Sequence, residues 1–171
     1  MSTKSRMSSI AAAAVFAITG FALSASAQSV RVLDRSEAKP LIPTSFKFEG
    51  ESANTQMRNA SAASFGRKKN VVAGLVDNSG YSTDVASEYE GFFITDIALR
   101  VGGMRLAKGS YAFGFAKNGK MKFRRATGNR VVTASTSHDA GLKRPRPLML
   151  MVVNGELRFY KGRTYVVVKD A

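Results

Sequence analysis

Gly102-Gly103 and Asn118-Gly119 cut residues 92–125 into three short runs that must double back on one another. The first run reads Phe-Phe-Ile-Thr-Asp-Ile-Ala-Leu-Arg-Val. The second reads Met-Arg-Leu-Ala-Lys-Gly-Ser-Tyr-Ala-Phe-Gly-Phe-Ala, and the third Met-Lys-Phe-Arg-Arg. Gly and Asn enter positive φ at least cost, which tight reversals between strands require. The stretch therefore predicts strand, turn, strand, turn, strand. By alternation, Phe93, Thr95, Ile97, Leu99 and Val101 share the core face of the first strand. Phe92, Ile94, Asp96, Ala98 and Arg100 take the opposite face.

The second hairpin admits two registers. A two-residue Asn118-Gly119 turn pairs Phe115 with Lys122 and places Tyr111, Phe113 and Phe115 beside cations. A three-residue loop of Lys117, Asn118 and Gly119 with a bulge pairs Phe115 with Met121 and Phe113 with Phe123. A slip of one residue exchanges the faces completely. The bulged register is preferred, because burying an aromatic side chain contributes roughly 1.5–3 kcal/mol.

Elsewhere the chain reads largely as β. Residues 29–33 suit a short edge strand, and Pro40 and Pro43 bracket Leu41-Ile42 and oppose a helix there. Residues 45–49 alternate Phe46 and Phe48 with Lys47 and Glu49, as a strand does. Residues 51–70 are rich in Ser, Asn, Thr and Gln, with Met57, Ala60 and Ala63 at helical spacing, and read as a weak helix or a long loop. Residues 70–76 form a compact apolar strand, 77–80 a turn, and 81–90 one or two helical turns capped by Ser82 or Thr83. Residues 130–134 and 148–153 are strands joined by a polar connection. Asn154-Gly155 then pairs Val152 with Leu157 and Leu150 with Phe159, and residues 164–169 form a β-branched final strand.

The N-terminus is a targeting segment rather than fold. Lys4 and Arg6 precede an apolar run over 10–23, and Ala25-Ser26-Ala27 supplies a small-x-small cleavage site. The run is too short for a comfortable membrane span, and no second one approaches that length. Residues 1–27 are expected to be removed near Ala27-Gln28, leaving a periplasmic or extracellular protein with a lead-in over 28–44 and one domain over 45–171. The mature chain is cysteine-free, so no disulfide supports it.

Charge is the most informative property of that chain. Residues 28–171 hold 24 basic and 12 acidic side chains, and residues 97–171 alone hold 16 basic against 3 acidic. Such a field favours encounters with polyanions and is screened by salt. Lys122, Arg124, Arg125 and Arg130 fall on adjacent expected strands. Lys143, Arg144 and Arg146 fall in the connection before residue 148, and Arg158 and Arg163 near the last hairpin. If these neighbour one another, their donors suit phosphate, sulfate or carboxylate.

Catalytic readings are weaker. His138 is the only histidine, with Asp139 or Asp96 as orienter. Consecutive residues of extended chain point to opposite sides, so Ser137-His138-Asp139 cannot line up as a triad. Oxygen ligands at Asp77, Asn78, Ser79, Asp84 and Glu88 lack the alternation of a calcium loop, and no metal or other cofactor is expected. Gly103, Leu106, Gly109 and Tyr111 join strands, with no helix N-terminus to receive a phosphate.

Phe92-Phe93-Ile94-Thr95-Asp96, the Leu106-x-x-Gly109-x-Tyr111 hairpin, the segment from Leu142 through Pro145 and Pro147 to Leu148, and the ending Gly162-Arg163-Thr164-Tyr165-Val166 resemble uncharacterised exported bacterial β proteins. The resemblance covers about residues 88–171. It implies a small β-sandwich or barrel outside the cytoplasm and carries over no activity and no catalytic residue.

The expected fold is all-β: a small antiparallel sandwich or barrel of about eight strands with little helix. The expected function is a non-enzymatic exported domain binding an anionic envelope polymer, a lipid headgroup or an acidic protein. A structural or assembly module contacting another envelope protein is the alternative, and a small hydrolase using His138 stands last. No nucleic-acid recognition motif is present.

Overall fold

The computed structural model describes residues 29–116 and 118–171. The leader over 1–27 thus lies outside the described residues. The chain is an all-β sandwich of two antiparallel sheets with little helix. Fourteen strands are described, more than the eight expected, because several expected strands split between sheets. The strands are β1 (Arg31–Val32), β2 (Ser45–Phe48), β3 (Glu51–Ser64), β4 (Asn70–Val76), β5 (Gly91–Thr95), β6 (Leu99–Val101) and β7 (Met104–Leu106). They continue with β8 (Gly109–Ala116), β9 (Lys120–Arg125), β10 (Val131–Ser135), β11 (Ser137–His138), β12 (Arg146–Val153), β13 (Glu156–Gly162) and β14 (Thr164–Asp170). The first sheet runs β1-β3-β4-β5-β8-β9-β10, with β2 also on β3. The second runs β12-β13-β14-β6-β7, with β11 also on β14. Two short helices, α1 (Arg35–Ala38) and α2 (Thr83–Glu88), complete it with a 3-10 turn at Lys39–Leu41.

The meander spans both sheets. Its first expected strand breaks after Thr95, which ends β5 in the first sheet, and resumes as β6 in the second. The Thr95 hydroxyl holds the bend, donating to the Ile97 carbonyl (2.7 Å) and accepting from the Ile97 N–H (3.2 Å). The returning strand breaks at the same level, between β7 and β8. There Gly109 pairs with Thr95 at φ +148°, and the Tyr111 hydroxyl donates to the Ala107 carbonyl (2.6 Å). Gly102 (φ +52°) and Gly103 (φ +84°) make the reversal between β6 and β7.

The register at Asn118-Gly119 is the bulged one: Phe115 pairs with Met121 and Phe113 with Phe123. Tyr111, Phe113, Met121 and Phe123 are buried between the sheets. There Phe93 meets Phe123 at 5.3 Å, and Phe159 of the second sheet meets Phe113 at 5.0 Å. Val152 pairs with Leu157 and Leu150 with Phe159, as the apolar pattern required, and β14 is central in its sheet.

A second core covers the other face of the first sheet. Phe92 is wholly buried there, stacked on Phe46 at 5.3 Å, with Phe48, Tyr89, Ala38, Ile42 and Ala112 around it. Alternation placed Phe92 opposite the core face of its strand, and β2, α1 and α2 cover that side as well. Room for this layer comes from missing side chains. A Cβ on Gly114 would lie 2.0 Å from the Glu88 carbonyl oxygen at the end of α2, and one on Gly74 would lie 2.7 Å from the Phe92 ring.

The largest departure from expectation is β3. Residues 51–64 are one strand, not a weak helix or loop. Ala53 and Thr55 point inward and Ser52, Asn54 and Gln56 outward, which is period-2 alternation written in small residues. Pairing with β1, β2 and β4 overrides the weak local preference. No α-helix covers Leu41-Ile42, and Ile42 is extended, but Leu41 ends a 3-10 turn. Pro40 sits in the first positions of the 3-10 turn, where its missing N–H costs nothing, and α1 just before it starts with a capping box of Asp34 and Glu37.

Candidate anion-binding site

The nine basic residues singled out from sequence fall into three groups. Lys122 and Arg124 lie on β9, facing the second core rather than the aromatic face. Lys122 pairs with Glu88 at 3.6 Å; Arg124 pairs with Glu49 and lies 5.9 Å from the Tyr89 ring centre. Arg158 and Arg163 belong to the second sheet and are also engaged. Arg158 lies 4.5 Å over the Tyr165 ring and 3.7 Å from Asp139. It donates to the Tyr160 hydroxyl, which in turn donates to Asp139 at 2.8 Å. Arg163 donates to the Ala140 carbonyl (3.1 Å) and to that of Leu142, tying down the connection before β12.

The third group makes no ion pair among the described residues. Arg130, Lys143, Arg144 and Arg146 are exposed, and Arg125 is half-buried where β9 pairs with Tyr111. Arg125 and Arg130 both act on the Tyr111 hydroxyl, whose pKa is raised by burial against their opposing pull. The nine therefore do not form one patch. The structure unites Arg125 with Arg130, and Lys122 with Arg124, and sets Arg158 and Arg163 apart from both on the other sheet.

Cross-strand register instead assembles a basic row that reading along the chain did not pick out. On the outer face of the second sheet, Lys169 pairs with Arg100 and Arg100 with Arg105, across β14, β6 and β7. All three are exposed. Glu156 answers only Lys169, and Arg100 and Arg105 have no ion-pair partner among the described residues. Like charges directly opposite one another on a sheet are unfavourable, so the row holds a repulsion that a bound anion would relieve. The signal in sequence was weak, because residues 100, 105 and 169 become neighbours only through the β14–β6 pairing.

His138 is exposed on β11, paired with Thr164, at a cavity of about 720 Å³ also lined by Phe115, Thr136 and Lys161. The two carboxylates weighed as its orienter are occupied elsewhere: Asp139 accepts from Tyr160, and Asp96 accepts from the Asn70 N–H at 3.2 Å. Among the described residues no cluster of three or more His, Cys, Asp or Glu could hold a metal, and no helix is long and apolar enough to cross a membrane. No protein-family model, curated protein or solved structure matches the chain.

Proposed function

We propose that this chain is a non-enzymatic, exported β-sandwich that binds an anionic envelope component through its basic C-terminal half. The observation that carries the reading is the Lys169–Arg100–Arg105 row, three in-register cations facing one carboxylate. The forked donors of Arg100 and Arg105 suit phosphate, sulfate or carboxylate groups spaced along a polymer. Exposed Arg130, Lys143, Arg144 and Arg146 extend the positive field of the same half. Export rests on the leader pattern over 1–27, and the resemblance to exported bacterial β proteins points the same way.

The test is binding of dextran sulfate, and of vesicles containing phosphatidylglycerol, at low and moderate salt. Replacing Arg100, Arg105 and Lys169 together by Gln is expected to weaken the polymer complex tenfold or more at low salt. Absence of binding at low salt would sink the reading.

A second reading, an assembly module contacting another envelope protein, is favoured by the edges of the two sheets. Met104 on β7 and Val131 on β10 are large apolar side chains exposed to 49% and 44%, each on the strand that ends its sheet. Co-purification of a stoichiometric protein partner that survives neutralising Arg100, Arg105 and Lys169 would favour this reading over the first.

A further inference from the structure

A groove of about 1170 Å³ opens on the side of the sandwich away from the β7 and β10 edges, between β12 and the lead-in. Its walls come from distant parts of the chain. Val32 and Leu33 stand at β1, Met57 on β3, and Leu148, Met149 and Met151 on β12. Both long strands are irregular at this level. The β3–β4 register shifts between Thr55 and Ala60, and the β12–β13 register shifts between Arg146 and Met149. Such irregularities re-aim side chains at sheet edges, and here Met57 stands 37% exposed beside exposed Arg58.

The polar groups of the groove are one-sided. Arg35 and Lys39 approach from α1 and the 3-10 turn, Arg58 from β3 and Arg146 from the start of β12. No Asp or Glu lines the groove, and none of the four cations has an ion-pair partner among the described residues. The neighbouring acids of the lead-in are already engaged: Glu37 accepts both guanidinium donors of Arg31 at 2.7 and 2.8 Å, and Asp34 caps α1. Methionine side chains adapt to varied apolar shapes. The volume of about 1170 Å³ lies somewhat above the range of about 300–1,000 Å³ typical of small-molecule sites, as suits an elongated ligand.

We infer that this groove binds a single-chain anionic amphiphile, with its acyl chain along Met57, Met149 and Met151 and its headgroup on Arg35, Lys39, Arg58 and Arg146. Charge complementarity selects the occupant, because an apolar trough rimmed only by cations favours a tail that ends in a negative charge. The inference stands apart from the polyanion reading, because of its four cations only Arg146 belongs to the basic C-terminal half, and none belongs to the Lys169–Arg100–Arg105 row.

Calorimetric titration of the purified protein with laurate below its micelle concentration tests this. Saturable one-site binding is expected, with lauroyl glycerol at least tenfold weaker and acetate without effect. Lys39→Gln with Arg58→Gln should weaken laurate tenfold or more and leave dextran sulfate binding intact. The Arg100, Arg105 and Lys169 variant should show the reverse. Met149→Glu, with its fold verified by circular dichroism, should also lose laurate. Equal affinity for lauroyl glycerol, indifference to Lys39→Gln and Arg58→Gln, or binding to phosphatidylglycerol vesicles without saturable laurate binding would each overturn the inference.

Discussion

Tyr89 shows how a single side chain links the two halves of the chain. Its ring packs against Phe48 with centres 3.9 Å apart, and Arg124 of β9 stands above it. Burial pushes its hydroxyl up to about 12, against the opposing pull of Arg124. A folded-state value above the unfolded one means that the folded chain holds this proton more tightly. The contribution is therefore fully present below pH 10 and is lost as pH rises through 12. Tyr89→Phe should behave like wild type at pH 7. Above pH 10, wild type should lose roughly 2–3 kcal/mol relative to the variant, as read from urea unfolding across pH 8–12. Parallel pH curves for the two proteins would contradict the burial argument. Arg158 makes the complementary point about charge. It was a candidate ligand donor in the sequence, yet its contacts with Tyr160, Tyr165 and Asp139 make it part of the sheet's outer packing.

Among the elements, the pairing of β8 with β9 and the packing of α2 on β8 follow from one alternation. Tyr111, Phe113 and Phe115 take one face, so Ala112, Gly114 and Ala116 must take the other, and a layer can approach closely only over small residues. Gly114→Ala is expected to cost about 1–3 kcal/mol, because its Cβ would overlap the backbone oxygen of Glu88 and backbone cannot swing aside as a flexible side chain can. Gly80→Ala meets nothing within 4 Å and serves as the control in thermal unfolding. The hairpin register was legible because three aromatics and two apolar partners agree only in the bulged form. The split of each meander strand between sheets was not legible, because the bends at Thr95–Ile97 and Ala107–Gly109 involve no proline and no run of turn residues. The capping box of Asp34 and Glu37 was visible in principle, as an acidic cap with Glu three residues on, but Pro40 and Pro43 follow too soon for the helical pattern to run on.

In the molecule as a whole, the charge asymmetry of the sequence is partly folded away. Glu49, Glu88 and Glu90 of the neutral half reach Arg124, Lys122 and Lys161 of the basic half, and Lys69 reaches Asp170 in return, at 3.3 Å. Among the described residues, the cations left without an ion-pair partner include Arg100 and Arg105 on the β6–β7 face, Arg35, Lys39, Arg58 and Arg146 at the groove rim, and Arg125, Arg130, Lys143 and Arg144. The lead-in is equally bound into the whole: β1 pairs with β3, while Ala38 and Ile42 enter the second core. Removing residues 28–44 is expected to expose Phe46, Phe92 and Tyr89, producing dye-binding apolar surface and loss of near-ultraviolet dichroism. A truncated chain that unfolds as cooperatively as the intact one would show that the second core does not depend on the lead-in.

By itself the sequence determined the strand-rich class, the turns at Gly102-Gly103, Asn118-Gly119 and Asn154-Gly155, and the face that the aromatics of β8 take. Those are local properties, set by which residues tolerate positive φ and by the two-residue period of a strand. Tertiary structure decided what lies beside what. It turned the Ser- and Ala-rich stretch over 51–64 into a strand by supplying partners on both sides, and it buried both faces of the first sheet at β4, β5 and the middle of β8. It also set Arg100 between Arg105 and Lys169 and drew Arg35, Lys39, Arg58 and Arg146 around one groove. Charge along a chain is additive and can be counted, whereas a binding site needs charges to converge. The register between strands distant in sequence sets that convergence, and no local pattern records it.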